Sequence, residues 1–163
     1  MDLNIRSCAE GEAPALAQVF HRAVHEGAAT RYTQDERMAW SPDVPAGASW
    51  EERLGGSETV VAEQAGRPVG FMSLDMSRGY LDLAFVAPEV MGRGVAALIY
   101  AVVEGRARSA GLTRLTAEAS LLAEPFFRRQ GWRVVKRQNV ERLGVELSNT
   151  LMEKDIAARE AVA

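Results

Sequence analysis

FVAPEVMGRGVAALIYAVVE, residues 85–104, decides how the rest of the chain is read. A strand-like run ends near Val86. A short loop then carries Pro88 and two glycines, Gly92 and Gly94, and a long apolar stripe follows. A helix N-terminus leaves backbone N–H groups unpaired and carries the positive end of the helix dipole, so it attracts phosphate. Glycine lets the backbone approach a ligand and reach positive φ, which turns successive N–H groups inward as an anion nest. Arg93, between the glycines, adds a cation. A tight strand-to-helix turn needs the same glycines without any ligand, so the turn alone does not separate the two readings.

The flanking pattern supplies the context. LNIRS alternates apolar and polar residues, as a half-buried strand does. Leu16, Val19, Phe20, Ala23 and Val24 recur at helical spacing, with Pro14 tolerated in the first turn. Thr33 with Glu36, and Ser49 with Glu52, read as capping boxes that start two further helices, the first ended by Pro42. ETVVAEQAGRPVGFMSLD reads as a hairpin around Ala-Gly-Arg, and GYLDLAFV as a third strand after a second turn. Beyond Gly94, the stripe Val95, Leu98, Ile99, Val102, Val103 predicts an amphipathic helix that closes near Gly111. TRLTAEAS is a strand placed by that helical crossover parallel to the strand ending at Val86. LLAEPFFRRQG is a short helix, and WRVVKRQNV and VELSNTLMEK a last pair of strands. The fold class is therefore α+β, a mixed and mostly antiparallel central sheet flanked by helices. One domain is expected over 1–156, with a frayed tail at 157–163.

Composition bounds the function. The 163 residues are 47% apolar and 25% charged, with a net charge of −3, ordinary for a globular chain with one sizeable core. No broad basic surface points to nucleic acid. No apolar run reaches membrane-spanning length, and MDLNIRS lacks a signal-peptide core. One cysteine, Cys8, excludes an internal disulfide and a multi-cysteine metal site, and reads as a small core residue. Only His21 and His25 remain as imidazole ligands, so no metal is expected. The expected location is the cytoplasm.

Two segments carry a family likeness. Val86-Ala87-Pro88 followed by Gly92-Arg93-Gly94-Val95-Ala96 and an amphipathic helix resembles the acyl-CoA-binding motif of the GCN5-related N-acetyltransferases (GNAT). AEASLLAEPFFRRQGW resembles that family's second cofactor segment, through Ser120, Ala123, Phe126-Phe127 and Gly131-Trp132. The order of elements is also the family's, so the resemblance covers nearly the whole chain. The AS–A–FF segment and the GVELSNTLMEK ending look most like the YafP-like branch.

The resemblance implies acetyl-CoA as cosubstrate, with an amine of a small molecule or protein as acceptor, and pairing as a homodimer, which family members often form. Amides from Met91 through Gly92, Arg93, Gly94 and Val95 to Ala96 would hold the pyrophosphate. The strand ending in Phe85-Val86 would pair with the pantetheine arm, with the Val86 amide beside the thioester carbonyl. Ser120 would lie along the arm and Phe127 near the thioester. Met91 departs from the family's usual Gln or Arg, which removes one side-chain contact and leaves the backbone nest. Tyr32, Trp40 and His25 fall in the region that walls the acceptor side, and Trp50 reads as core.

Transfer to an amine requires a neutral nitrogen. A lysine-like amine with pKa near 10.4 loses its proton at pH 7 at a cost of about 4.6 kcal/mol. A carboxylate is the natural acceptor of that proton. Asp82, on the strand before the glycine turn, and Glu118, on the neighbouring parallel strand, are the candidates, with a slight preference for Glu118. A solvent-facing position is the competing reading for both, and a helix-capping role for Glu118. Phe127 stands where the family often has a tyrosine, so no general acid is assigned. Two rivals remain: a non-catalytic acyl-CoA-binding module of the same fold, and a dinucleotide-binding domain, since Gly92-x-Gly94-x-x-Ala97 also fits that fingerprint.

Overall fold

Val60 and Val61 sit side by side in one strand yet fall in different cores, because successive side chains of a strand point to opposite faces. That alternation organises the molecule, whose computed structural model describes residues 2–157. Seven strands form one sheet in the order β1-β2-β3-β4-β5-β7-β6. β1 (Leu3–Ser7), β2 (Glu58–Gln64), β3 (Arg67–Asp75) and β4 (Tyr80–Val86) run antiparallel. β5 (Arg114–Ser120) lies parallel to β4, as the crossover requires. β7 (Val145–Asp155) inserts between β5 and β6 (Arg133–Arg142), antiparallel to both. The expected mixed sheet and parallel pair are both present. Residues 158–163 of the expected tail lie outside the described residues.

On one face pack α1 (Ala13–His25), α2 (Gln34–Trp40) and α3 (Ala48–Gly55). Their core joins Leu16, Phe20, Val24 and Trp50 to Val61, Phe71 and Leu83. On the other face lie α4 (Val95–Ser109) and α5 (Glu124–Arg129), whose core joins Val95, Ile99, Val103 and Phe127 to Val60, Leu74, Leu115 and Met152. Each such buried side chain contributes about 1.5–3 kcal/mol relative to exposure. Trp50 is core, as expected, and its Nε1–H donates to the Ala13 carbonyl at 2.8 Å.

Some local expectations change. The Thr33–Glu36 capping box forms in both directions, at 2.8 and 3.2 Å. The Ser49–Glu52 box does not. Gly47, at φ 82°, turns the chain into α3, so the helix starts at Ala48 and Ser49 lies inside it. In α4, Leu98 is 49% exposed rather than part of the buried stripe. The buried face is centred on Val95, Ile99, Val103 and Ala107 and extends to Tyr100, which leaves Leu98 on its flank.

Two features of β4 open the sheet. β4 and β5 pair only at Tyr80 and Thr116, with the Thr116 amide donating to the Gly79 carbonyl at 2.9 Å. Gly79 is required there: φ is +63°, and a Cβ would stand 2.5 Å from the Arg114 carbonyl oxygen. The register with β3 then slips from Leu74–Leu81 to Ser73–Leu83, making Asp82 the extra residue of a β-bulge. The bulge sends Leu81 to the α4 core and Leu83 to the α1 core. Past it, the β5-facing edge of β4 has no strand partner.

Candidate active site

Two cavities meet where β4 and β5 part. The larger, about 430 Å³, is bounded by the end of β4, the glycine turn, the start of α4 and α5. Phe85, Val86, Met91, Gly92, Gly94, Val95, Ala96, Ser120 and Phe127 all line it. No acidic side chain does. The smaller, about 260 Å³, contains Tyr32, Trp40, Asp82 and Glu118. Trp40, Phe85 and Ser120 line both, so the two spaces adjoin across the unpaired edge of β4.

Gly92 and Gly94 take φ of +76° and +83°, and a Cβ on either would meet no protein atom within 4 Å. Packing does not explain these glycines; the left-handed backbone and the open side do. The nest is narrower than expected. The Met91 amide already donates to Pro88 and the Arg93 amide to Val90, each at 3.3 Å. The amides of Gly92, Gly94, Val95 and Ala96 have no acceptor among the described residues. They stand at the N-terminus of α4, a fifteen-residue helix whose dipole favours an anion.

Arg93 is exposed and does not line this cavity. Arg129, at the end of α5, lines the cavity and has no acidic partner among the described residues. Sequence reading missed it because Arg128 and Arg129 look alike; i,i+4 spacing directs Arg128 to Glu124 at 3.1 Å and leaves Arg129 unpaired. The Met91 side chain crosses to the short 3-10 turn Gly27–Thr30, where a Cβ on Gly27 would stand 2.8 Å from its sulfur. Phe127 is buried edge-on against Phe126 and Trp132 and offers no proton.

In the smaller cavity the two carboxylates differ. Asp82 is held by Arg53 through two hydrogen bonds. Arg53 is raised above the usual guanidinium value, chiefly by that pairing. Glu118 is exposed on the β5 face turned to this cavity and has no hydrogen bond or ion pair among the described residues. It does not cap α5; the Ser120 hydroxyl accepts from the Ala123 amide at 3.1 Å instead. Burial pushes the Tyr80 hydroxyl up, with Glu118 and Asp82 adding to it. Tyr32 is buried, accepts from the Leu121 amide at 2.9 Å and donates to the Ser148 carbonyl at 2.6 Å. Burial raises its pKa too.

His25 lines neither cavity. Its Nε2–H donates to the Ser41 carbonyl at 2.7 Å, and its ring lies tilted, 4.4 Å between centroids, against His21, which bonds the Ser41 hydroxyl. Both imidazoles serve the end of α2, which removes His25 from the acceptor wall. Cys8 is only half-buried, at the edge of the α1 core. Among the described residues no three His, Cys, Asp or Glu side chains are grouped to hold a metal ion. Nor is any helix there long and apolar enough to cross a membrane.

The dinucleotide alternative fails on topology. It needs repeated strand-helix-strand units, and β1–β4 are antiparallel neighbours. Residues 28–155 match the model of the acetyltransferase (GNAT) domain. The chain is 35% identical over 152 residues to the uncharacterized N-acetyltransferase YafP of Escherichia coli K12, covering 93% of this chain and 95% of that protein. A GCN5-related N-acetyltransferase structure from Rhodopseudomonas palustris superposes with a TM-score of 0.87 at 30% identity, over 96% of this chain and 97% of that one. A GNAT phosphinothricin acetyltransferase from Sinorhizobium meliloti, solved with AcCoA, shares the fold at a TM-score of 0.74 and 17% identity, over 96% and 90% of the two chains. With the glycine turn at the start of α4 and a cavity lined by charges of both signs adjoining it on that sheet, the chain belongs to the GNAT family of N-acetyltransferases.

Proposed function

We propose that this acetyltransferase moves an acetyl group from acetyl-CoA to a primary amine by direct attack in a ternary complex. One observation carries the proposal: an anion-binding turn and an unpaired carboxylate face adjoining cavities at the open edge of β4. The free amides of Gly92, Gly94, Val95 and Ala96, with Arg129, would hold the pyrophosphate. The unpaired main chain of β4 up to Val86 would take the pantetheine arm through backbone bonds, with Ser120 and Phe127 beside it. The same fold in the S. meliloti enzyme holds AcCoA, which supports this assignment.

Glu118 accepts the proton that the amine gives up as its nitrogen bonds the acetyl carbon. The carbon–sulfur bond breaks and its electron pair leaves with the CoA sulfur as a thiolate. The Val86 amide polarises the carbonyl oxygen while charge develops there. Tyr32 and Trp40 wall the acceptor side. Asp82 holds Arg53 and acts on the shape of the cavity rather than on the proton. We place the protein in the cytoplasm, where a free thiol such as Cys8 stays reduced.

Calorimetric titration with acetyl-CoA, CoA and NAD, followed by thiol-release assays over an amine panel, tests the reading. One-to-one binding of both CoA species, none of NAD, and turnover with an amine are expected. Binding without turnover of any amine would leave a non-catalytic acyl-CoA module. No CoA binding would remove the donor site altogether.

A further inference from the structure

We infer that the acceptor is a small zwitterion: one primary amine and one carboxylate at opposite ends of a short apolar skeleton, as in an ω-amino acid. The inference rests on the acetyltransferase reading and concerns only the smaller cavity.

Four charged side chains line that cavity, Arg53, Asp82, Glu118 and Arg142. Arg53 and Asp82 neutralise each other through a two-point pair. Glu118 and Arg142 remain. Among the described residues Glu118 has no partner, and the Arg142 guanidinium reaches only the Glu141 carbonyl, at 3.2 Å. One free anion and one free cation in a single cavity complement a ligand that carries both signs. A simple amine leaves Arg142 unanswered, and an anion without an amine cannot be acetylated on nitrogen.

Asn149 gives independent support. The residue lines this cavity, and its Oδ1 is buried and lacks a hydrogen-bond partner among the described residues. A buried acceptor left unmade is costly, so an unanswered one on a residue that lines a cavity points to a ligand N–H. The sheet register puts it beside Glu118. Ser120 pairs with Asn149 and Glu118 with Leu151, so Glu118 and Asn149 are diagonal neighbours on one face. They mark the amine end. Arg142, on β6 opposite Val145, stands further along the same face, with Val140 and Leu147 between. That strip takes the apolar skeleton and leaves the carboxylate at Arg142. The volume, about 260 Å³, suits one small ω-amino acid rather than a folded protein segment.

The test uses the full chain and thiol-release rates. 4-Aminobutanoate, 5-aminopentanoate and 6-aminohexanoate are each compared with their carboxamide and with the amine lacking the carboxyl group. At least one acid should exceed its amide at least tenfold in kcat/KM, and Arg142→Gln should bring that ratio to within twofold. Acetyl-CoA affinity of the variant, by calorimetry, should stay within twofold of the wild type and reports its folding. Amides or plain amines that match the acids overturn the inference, as does an acid preference that survives Arg142→Gln. A lysine peptide turned over faster than every acid does so too. If acetyl-CoA binds and no acid is acetylated, the zwitterion falls and the donor site stands. If acetyl-CoA does not bind, both fall.

Discussion

Arg53 grips both carboxylate oxygens of Asp82 across the gap from α3 to β4, Nε to Oδ2 at 2.6 Å and Nη2 to Oδ1 at 2.9 Å. A proton placed on Asp82 breaks a two-point, charge-assisted contact. A proton placed on Glu118 breaks nothing among the described residues. The two acids flank one cavity, and their partners set them apart.

Replacing them separately tests that division. Glu118→Gln should lower kcat by about 10²- to 10⁴-fold, the usual range for a general base, with acetyl-CoA affinity retained. Asp82→Asn should cost less than about tenfold and act mainly on acceptor KM, because it frees Arg53 and reshapes the cavity. Steady-state kinetics on both variants decide the matter. Equal losses in kcat would return Asp82 to contention as the base.

The glycine turn makes a second prediction. At φ +83° an alanine at Gly94 is strained by about 1–2 kcal/mol, and its methyl group enters space that no protein atom fills. Gly94→Ala should raise the acetyl-CoA Kd about tenfold or more while lowering Tm by only a few degrees. Calorimetry and thermal unfolding read the two effects apart. An unchanged Kd would make the turn purely structural.

Arg129 and Arg93 form a natural control pair. Arg129 lines the donor cavity and Arg93 does not. Arg129→Gln should weaken acetyl-CoA several-fold at low ionic strength, with the difference shrinking in about 0.5 M salt as exposed charges are screened. Arg93→Gln should change Kd by less than twofold. A larger effect at Arg93 would relocate the phosphate.

What was legible in the sequence follows from what is local. The glycine turn, the crossover helix and the Thr33–Glu36 box depend on residues within a turn or two of each other, and each forms where it was placed. What failed depends on tertiary geometry. The bulge at Asp82 leaves the alternation of LDLAFV outwardly intact, yet it redirects the carboxylate to Arg53, twenty-nine residues away in sequence. Ser49 lost its capping role because Gly47 turned the chain earlier. His25 shares a helix face with His21, and only the folded position of Ser41 shows which way both rings bond. Asn149 and Arg142 carry no motif; the register of β5, β7 and β6 brings Asn149 beside Glu118 and sets Arg142 further along the same face.

A final prediction concerns the support beneath the site. Glu124 opens α5 and is 8% exposed. Thr150 donates to its Oε1 at 2.5 Å, and Arg128 and Arg137 donate to its Oε2 at 3.1 and 3.0 Å, tying α5 to β6 and β7. The Thr150 hydrogen bond above all, then Arg137, hold this carboxyl below its ordinary value near 4.5 against the opposing effect of burial. A carboxyl whose folded pKa is depressed stabilises the fold above its unfolded value, and the contribution disappears as pH falls through the folded one. At pH 7 Glu124→Gln should cost about 1–2 kcal/mol, kept modest because both arginines are more than half exposed. In a chain of this size that is a drop in Tm of roughly 2–8 °C. Thermal unfolding of both proteins from pH 7 downward should show the gap closing below about pH 4.5, as the wild-type carboxyl takes up its proton. A gap of constant size down to pH 3 would mean that Glu124 holds α5 by its shape and not by its charge.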